Sequence, residues 1–119
     1  MGWFSRRGSR KTVQFPGRSD GPAMEIDRKE VETHLQTFVA TKRGVEAYVE
    51  PATSVTKTTI VLIAWDGEWT RRVVPSPEWG HKFAESLQLP GYDAAVVGYP
   101  QRMRDYNSRQ KILRKRGVV

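Results

Sequence analysis

Residues 58–74 read TTIVLIAWDGEWTRRVV, and the way this stretch divides decides the fold. Residues 58–65 are apolar at nearly every position, the pattern of a strand covered on both faces. Asp66-Gly67 follows, a pair that favours a tight turn because Asp tolerates a left-handed backbone and Gly adopts it freely. WTRRVV at 69–74 returns as a second strand, with Trp69, Arg71 and Val73 on one side, Thr70, Arg72 and Val74 on the other, and Pro75 as its stop.

The flanks extend this hairpin in both directions. Upstream, VEAYVE at 45–50 alternates, so Val45, Ala47 and Val49 face a core while Glu46, Tyr48 and Glu50 face away, and Pro51 ends the strand. Before it, MEIDRKEVETHLQTFVATKRG at 24–44 carries helix signals from end to end. Asp27 can cap the start, Glu30 can return the bond, and Ile26 with Val31 forms a hydrophobic staple. Val31, Leu35, Phe38 and Val39 make one apolar face; Lys42 and Arg43 suit the last turn, and Gly44 supplies a left-handed stop.

Downstream, SPEWGHKFAESL at 76–87 has a Ser76 cap, Pro77 in the first helical position and Glu78 beside it, with Trp79, Phe83 and Leu87 on one face. After a turn at LPGYD, the apolar AAVVGY at 94–99 is expected to form the last strand. A strand, a helix and a strand in succession normally leave the two strands parallel. From Gln101 a helix follows whose seam is Met103, Tyr106, Gln110 and Leu113. The expected fold class is α+β: helix, three-stranded antiparallel meander, helix, strand, C-terminal helix. Its sheet is four-stranded and mixed, with the first two helices over one face and the tail helix over the other.

The chain has 119 residues, enough for one domain. Residues 1–22 mix Gly, Ser, Arg and Pro without apolar period and read as a flexible basic arm. Residues 23–100 read as a single α+β domain, and 101–119 as a basic C-terminal helix or tail. The net charge of +7 is unevenly placed. Residues 1–22 hold five Lys or Arg against Asp20, and residues 101–119 hold seven against Asp105, so the intervening body, with eight basic and eleven acidic residues, is mildly acidic. Cysteine is absent, which removes disulfides and thiol nucleophiles and makes a reducing cytoplasm the simplest expected home. The start shows no apolar stretch of the kind an export signal needs, and Arg6 breaks the myristoylation pattern after Gly2.

Asp66 and Glu68 invite an acid-pair reading, yet the bland one, a solvated hairpin tip, is favoured because Asp-Gly turns need no other reason. The order helix, three strands, helix, strand is also that of the restriction-endonuclease-like core. Nucleases of that kind resemble one another in an acidic residue on the second strand and a Glu-x-Lys on the third, which hold a metal and activate water. TRRVV carries no carboxylate, and Asp66 falls at the far end of its strand, so the order matches and the chemistry does not. The same order resembles the double-stranded RNA-binding domain, whose basic cluster at the start of its second helix is replaced here by SPEWGHK. His34 and His81 lie on different helices without ligand spacing. No phosphate loop, dinucleotide fingerprint or nucleophile elbow is present, so no catalytic residue, metal or cofactor is assigned.

Binding is the expected activity. Arg109, Lys111, Arg114, Lys115 and Arg116 are the expected phosphate contacts, helped by Arg6, Arg7, Arg10 and Lys11, because lysine and arginine near a polyanion release condensed counterions. Arg71 and Arg72 would extend the patch if their strand is at an edge. The expected function is a small non-enzymatic protein contacting nucleic acid or a ribonucleoprotein through basic termini. A rival reading makes it a peripheral membrane or protein-partner adaptor, with Trp3 and Phe4 as anchors beside Arg6 and Arg7 at an anionic membrane surface. Trp65 and Trp69, across a three-residue turn, are expected to stack on each other.

GVEAYVEP at 44–51, AWDGEWTRR at 64–72 and VVGYPQRMRDYN at 96–107 together look like a family of small uncharacterised actinobacterial proteins. The resemblance covers residues 24–107 and implies a bacterial cytoplasmic setting. It carries over no catalytic or binding residue.

Overall fold

The structure, a computed structural model, describes residues 26–117. Eight elements follow in order: α1 (Arg28–Thr41), β1 (Glu46–Glu50), β2 (Thr59–Ile63), β3 (Trp69–Val73), α2 (Pro77–Ser86), β4 (Gly91–Asp93), α3 (Ala94–Val97) and α4 (Gln101–Lys115). The strands form one mixed sheet in the order β3-β2-β1-β4. β1, β2 and β3 pair antiparallel, and β4 pairs parallel with β1 through Ala47, Tyr48 and Val49. The expected α+β architecture is therefore observed.

β2 occupies an inner position with a helix layer on each side, which is why its residues are apolar on both faces. Ile60 and Leu62 point into the larger core with Leu35, Phe38, Ala47, Val49, Trp79 and Phe83, under α1 and α2. Val61 and Ile63 point the other way, into a smaller core with Tyr48, Ala94 and Met103, under α4. Leu62 is fully buried, and truncating such a residue to alanine costs about 2–5 kcal/mol. The caps lie where the sequence places them: Asp27 Oδ1 accepts from Glu30 N at 3.2 Å, and Ser76 Oγ accepts from Trp79 N at 3.1 Å.

Three details differ from expectation. The last strand is not AAVVGY: pairing with β1 falls on Gly91–Asp93, anchored by Ala47 N donating to Pro90 O at 2.9 Å. Asp93 then accepts from Ala95 N at 2.8 Å and caps the single helical turn of α3, which Gly98 ends at φ 72°. A cap outweighs strand propensity here, because Val96 is 79% exposed and has no packing to gain. Second, α1 stops at Thr41, so Lys42 and Arg43 lie just beyond it. Third, Tyr48, read as facing away from the core, is buried in a second one beneath α4.

Gly67 has two jobs. Its φ of +93° suits the turn, where Ala64 N donates to Glu68 O at 2.8 Å and Gly67 N donates to Ala64 O at 3.0 Å. It also meets the backbone of α4: a Cβ there would lie 2.0 Å from the carbonyl oxygen of Arg102. Gly67→Ala is expected to lower the unfolding free energy by about 2 kcal/mol or more, from backbone strain and displacement of α4 together. Gly117→Ala, at an equally left-handed φ of +73° but with nothing within 4 Å, is expected to cost about 1 kcal/mol or less. Urea denaturation of the two variants checks this difference.

Candidate nucleic-acid interface

The hairpin between β2 and β3 gathers parts of three elements. From the end of α1, the capping residue Lys42 donates its Nζ to Glu68 Oε1 at 2.6 Å, and this hydrogen bond lifts the Lys42 ammonium above its ordinary value. The backbone just after it is held too, since Trp65 N donates to Arg43 O at 2.9 Å. Gly44 makes this approach possible: its φ is +59°, and a Cβ would lie 3.1 Å from that of Trp65. From α4, Arg102 Nε donates to Ala64 O at 2.9 Å and its Nη2 to Glu46 Oε1 at 2.8 Å. About two helical turns later, Arg109 Nη2 donates to Asp66 O at 2.9 Å.

The carboxylates at this end are engaged internally. Asp66 Oδ1 accepts from Glu68 N at 3.0 Å, closing the turn. Glu68 pairs with Lys42, and Glu46 with Arg102 and the Tyr48 hydroxyl. Burial alone would raise the Glu46 carboxyl, but the Arg102 and Tyr48 hydrogen bonds outweigh it and hold the group below the usual range. Tyr48, buried and donating to Glu46, is pushed up to about 12. Among the described residues, no three His, Cys, Asp or Glu side chains come together in a way that could hold a metal ion.

The basic residues of the C-terminal half of α4 are placed differently. Arg109, Lys111, Arg114, Lys115 and Arg116 are all exposed, and none has a carboxylate partner among the described residues. α4 crosses the sheet from Tyr99 and passes the hairpin at Asp66, so Lys111 to Arg116 project beyond that end of the sheet. Only Met103 of α4 is buried, with Tyr106, Gln110 and Leu113 half-exposed on the seam. Trp65 stands at the same end, 60% exposed, with the Arg43 guanidinium 5.6 Å over its ring. Trp65 and Trp69 do not stack on each other; Trp69 turns under α4, where its indole Nε1 donates to Asn107 Oδ1 at 2.8 Å. Sequence reasoning did not place Trp65 or Arg43 in an interface, because the signal is spatial and depends on the bend at Gly44.

β3 is an edge strand, as the condition on Arg71 and Arg72 required, yet neither joins this patch. Arg71 makes a two-pronged bridge to Glu50, Nε at 2.9 Å and Nη2 at 3.0 Å, at the opposite end of β1. Thr59 and Tyr99 hydroxyls also donate to Glu50. Burial would raise the Glu50 carboxyl, but the donors together hold it below the ordinary value. These residues floor an open cleft of about 650 Å³ between the 51–59 connection and α3. A second cleft of about 490 Å³ lies between α1 and α2, over Trp79 and Phe83. Arg6, Arg7, Arg10 and Lys11, with Trp3 and Phe4, lie outside the described residues.

No family model, curated protein or solved structure matches the chain. The candidate interface is therefore defined by its geometry.

Arg72 reports on the one histidine set into the structure. Its Nη2 lies 3.2 Å from His34 Nδ1, and since a guanidinium can only donate, Nδ1 accepts and the proton sits on Nε2, which donates to Thr70 Oγ1 at 2.7 Å. Burial, and then the Arg72 charge, hold His34 below its ordinary 6.5. His34 thus adds stability in full above about pH 6.5, and this is lost as pH falls through the lowered folded-state value. NMR titration of the imidazole is expected to give a midpoint below 6.5, and Arg72→Gln to move it part of the way back, burial remaining.

Proposed function

We propose that the protein is a small binding protein that grips nucleic acid, free or within a ribonucleoprotein, through the cationic C-terminal half of α4. The observation that carries this reading is the row of five exposed basic side chains, Arg109 to Arg116, without carboxylate partners among the described residues, at the end of the sheet where the local acids are already engaged. Such a row favours a polyanion because each phosphate contact releases condensed counterions, whatever the base sequence. Arg6, Arg7, Arg10 and Lys11 add contacts on this reading, from a segment adjoining the same body. The reading assigns no catalytic residue, metal or cofactor, and it sets the protein in the cytoplasm of a bacterium, in line with its resemblance to small actinobacterial proteins.

A membrane surface is the less favoured partner. An interfacial helix needs a continuous apolar face opposite its charges, whereas the projecting part of α4 exposes Ile112 alone among its large apolar residues. Among the described residues, no helix is long and apolar enough to cross a membrane.

Binding to a labelled oligonucleotide is expected to weaken linearly with salt on logarithmic axes. Replacing Arg114, Lys115 and Arg116 together by Gln is expected to lower the slope by about 2 for a single strand, at roughly 0.7 per lost phosphate contact, across all base sequences. Removal of residues 108–119 is expected to do more. Unchanged affinity and slope in both variants would end the reading.

A further inference from the structure

The interface contains an aromatic surface that charge alone does not account for. Trp65 is a large apolar side chain left 60% exposed at a position where the backbone on both sides is fixed. Its amide donates to Arg43 O, its Cβ is met by Gly44, and the next residue's carbonyl accepts from Arg109. Arg43 lies over one face of the indole at 5.6 Å, which orients the ring and limits its rotamers. On the α4 side, Tyr106 carries Arg109 over its own ring at 5.8 Å. Two aromatic rings, each with a guanidinium on one face, thus flank the turn at the foot of the cationic half of α4.

Resting on the reading above, we propose that the partner is single-stranded nucleic acid and that Trp65 is a stacking platform for one of its bases. A phosphate chain following the projecting turns of α4 reaches the hairpin at Arg109, whose guanidinium bonds the Asp66 carbonyl, and the next residue along the hairpin is Trp65, its exposed indole backed by Arg43. Bases in a duplex are already stacked and cannot lie on an isolated ring, whereas an unpaired base can, with little preference for its identity. Arg43 adds positive charge behind the stacked ring, favourable to the electron-rich base and to its 5′ and 3′ phosphates. Stacking and phosphate contact would then be supplied by different residues, Trp65 for the first and Arg109 to Arg116 for the second.

That separation makes the test specific. The full chain is titrated with a labelled single strand of about 12 nucleotides, matching a compact binding footprint, and with a hairpin duplex of the same charge. Trp65→Ala is expected to weaken single-strand binding roughly 10-fold while leaving the salt slope and duplex affinity as in wild type. Trp65→Phe is expected to recover most of the loss, and unchanged urea denaturation of both variants shows that the fold is kept. Wild-type tryptophan fluorescence should be quenched on binding, by an amount that Trp65→Ala reduces.

Salt-dependent binding that Trp65→Ala leaves untouched would overturn the stacking platform while the phosphate reading stands. An equal loss on single strand and duplex would overturn it too, by making Trp65 a general contact. Anionic vesicles that displace the single strand only when Trp65 is present would overturn it in favour of lipid. Wild type that binds neither strand nor duplex at low salt would remove both proposals at once.

Discussion

The turn at Gly67 touches the backbone of α4 at Arg102, and there is no room between them for a side chain. Much of the remaining architecture depends on that contact. With the helix drawn down onto the hairpin, Met103 reaches Tyr48, Val61 and Ile63 and closes the second core. Arg102 comes within reach of two strand-end carbonyls and of Glu46. The same approach sets the line of the helix, so that the turns after Arg109 run past the hairpin and into solvent. A hairpin tip with any other residue at this position would hold α4 off the sheet, and the outer face of β1 and β2 would be left to water.

The electrostatic asymmetry of the chain survives folding because the acids near the hairpin find partners before α4 passes them. Glu68 has Lys42, Glu46 has Arg102 and Tyr48, and Asp66 has the amide of Glu68. None of these partners comes from the projecting half of α4. Arg109 is the residue at the boundary: its bond is to a neutral carbonyl, Asp66 O, and not to a carboxylate. The far end of the sheet is self-contained in a different way, since Glu50 collects Arg71, Thr59 and Tyr99. Screening beyond about 8 Å at physiological salt makes these local pairings the ones that decide the surface potential. Among the described residues, the cations of α4 from Arg109 onward therefore have no carboxylate partner even though the body is acidic on the whole.

Most of the fold was legible because its signals are local and agree with one another. Asp27 and Ser76 cap where the sequence says they should, the apolar run of β2 is buried on both faces, and the Asp66-Gly67 pair turns the chain. The one misplaced element, the last strand, shows where such reasoning weakens: in AAVVGY composition favours a strand, while the preceding Asp93 offers a cap and β1 offers pairing three residues earlier. Register of a short parallel strand is set by its partner, which a single segment does not reveal. The candidate interface was legible only in its α4 half, where the charges are consecutive in sequence. Trp65 and Arg43 are separated by the whole of β1 and β2, and their meeting depends on the left-handed turn at Gly44. Gly67 was read for its backbone freedom alone, since contact with a helix some 35 residues later leaves no mark on the turn itself.

The projecting half of α4 is held by little besides its own backbone, and its charges act on it in two opposite senses. Arg114 and Lys115 lie in the last turn, where the helix dipole favours positive charge. Lys111 and Lys115, four residues apart, share a face and repel, at about 0.2–0.5 kcal/mol for such a pair. Arg, Lys, Gln and Leu are good helix formers, which helps a segment whose one buried residue, Met103, lies three turns away. A row of phosphates alongside would cancel the repulsion and leave the dipole term and the propensities in place. On the proposed reading, helix order and polyanion binding therefore reinforce each other: the charges that make this segment the least supported part of the fold are those that a nucleic acid would stabilise.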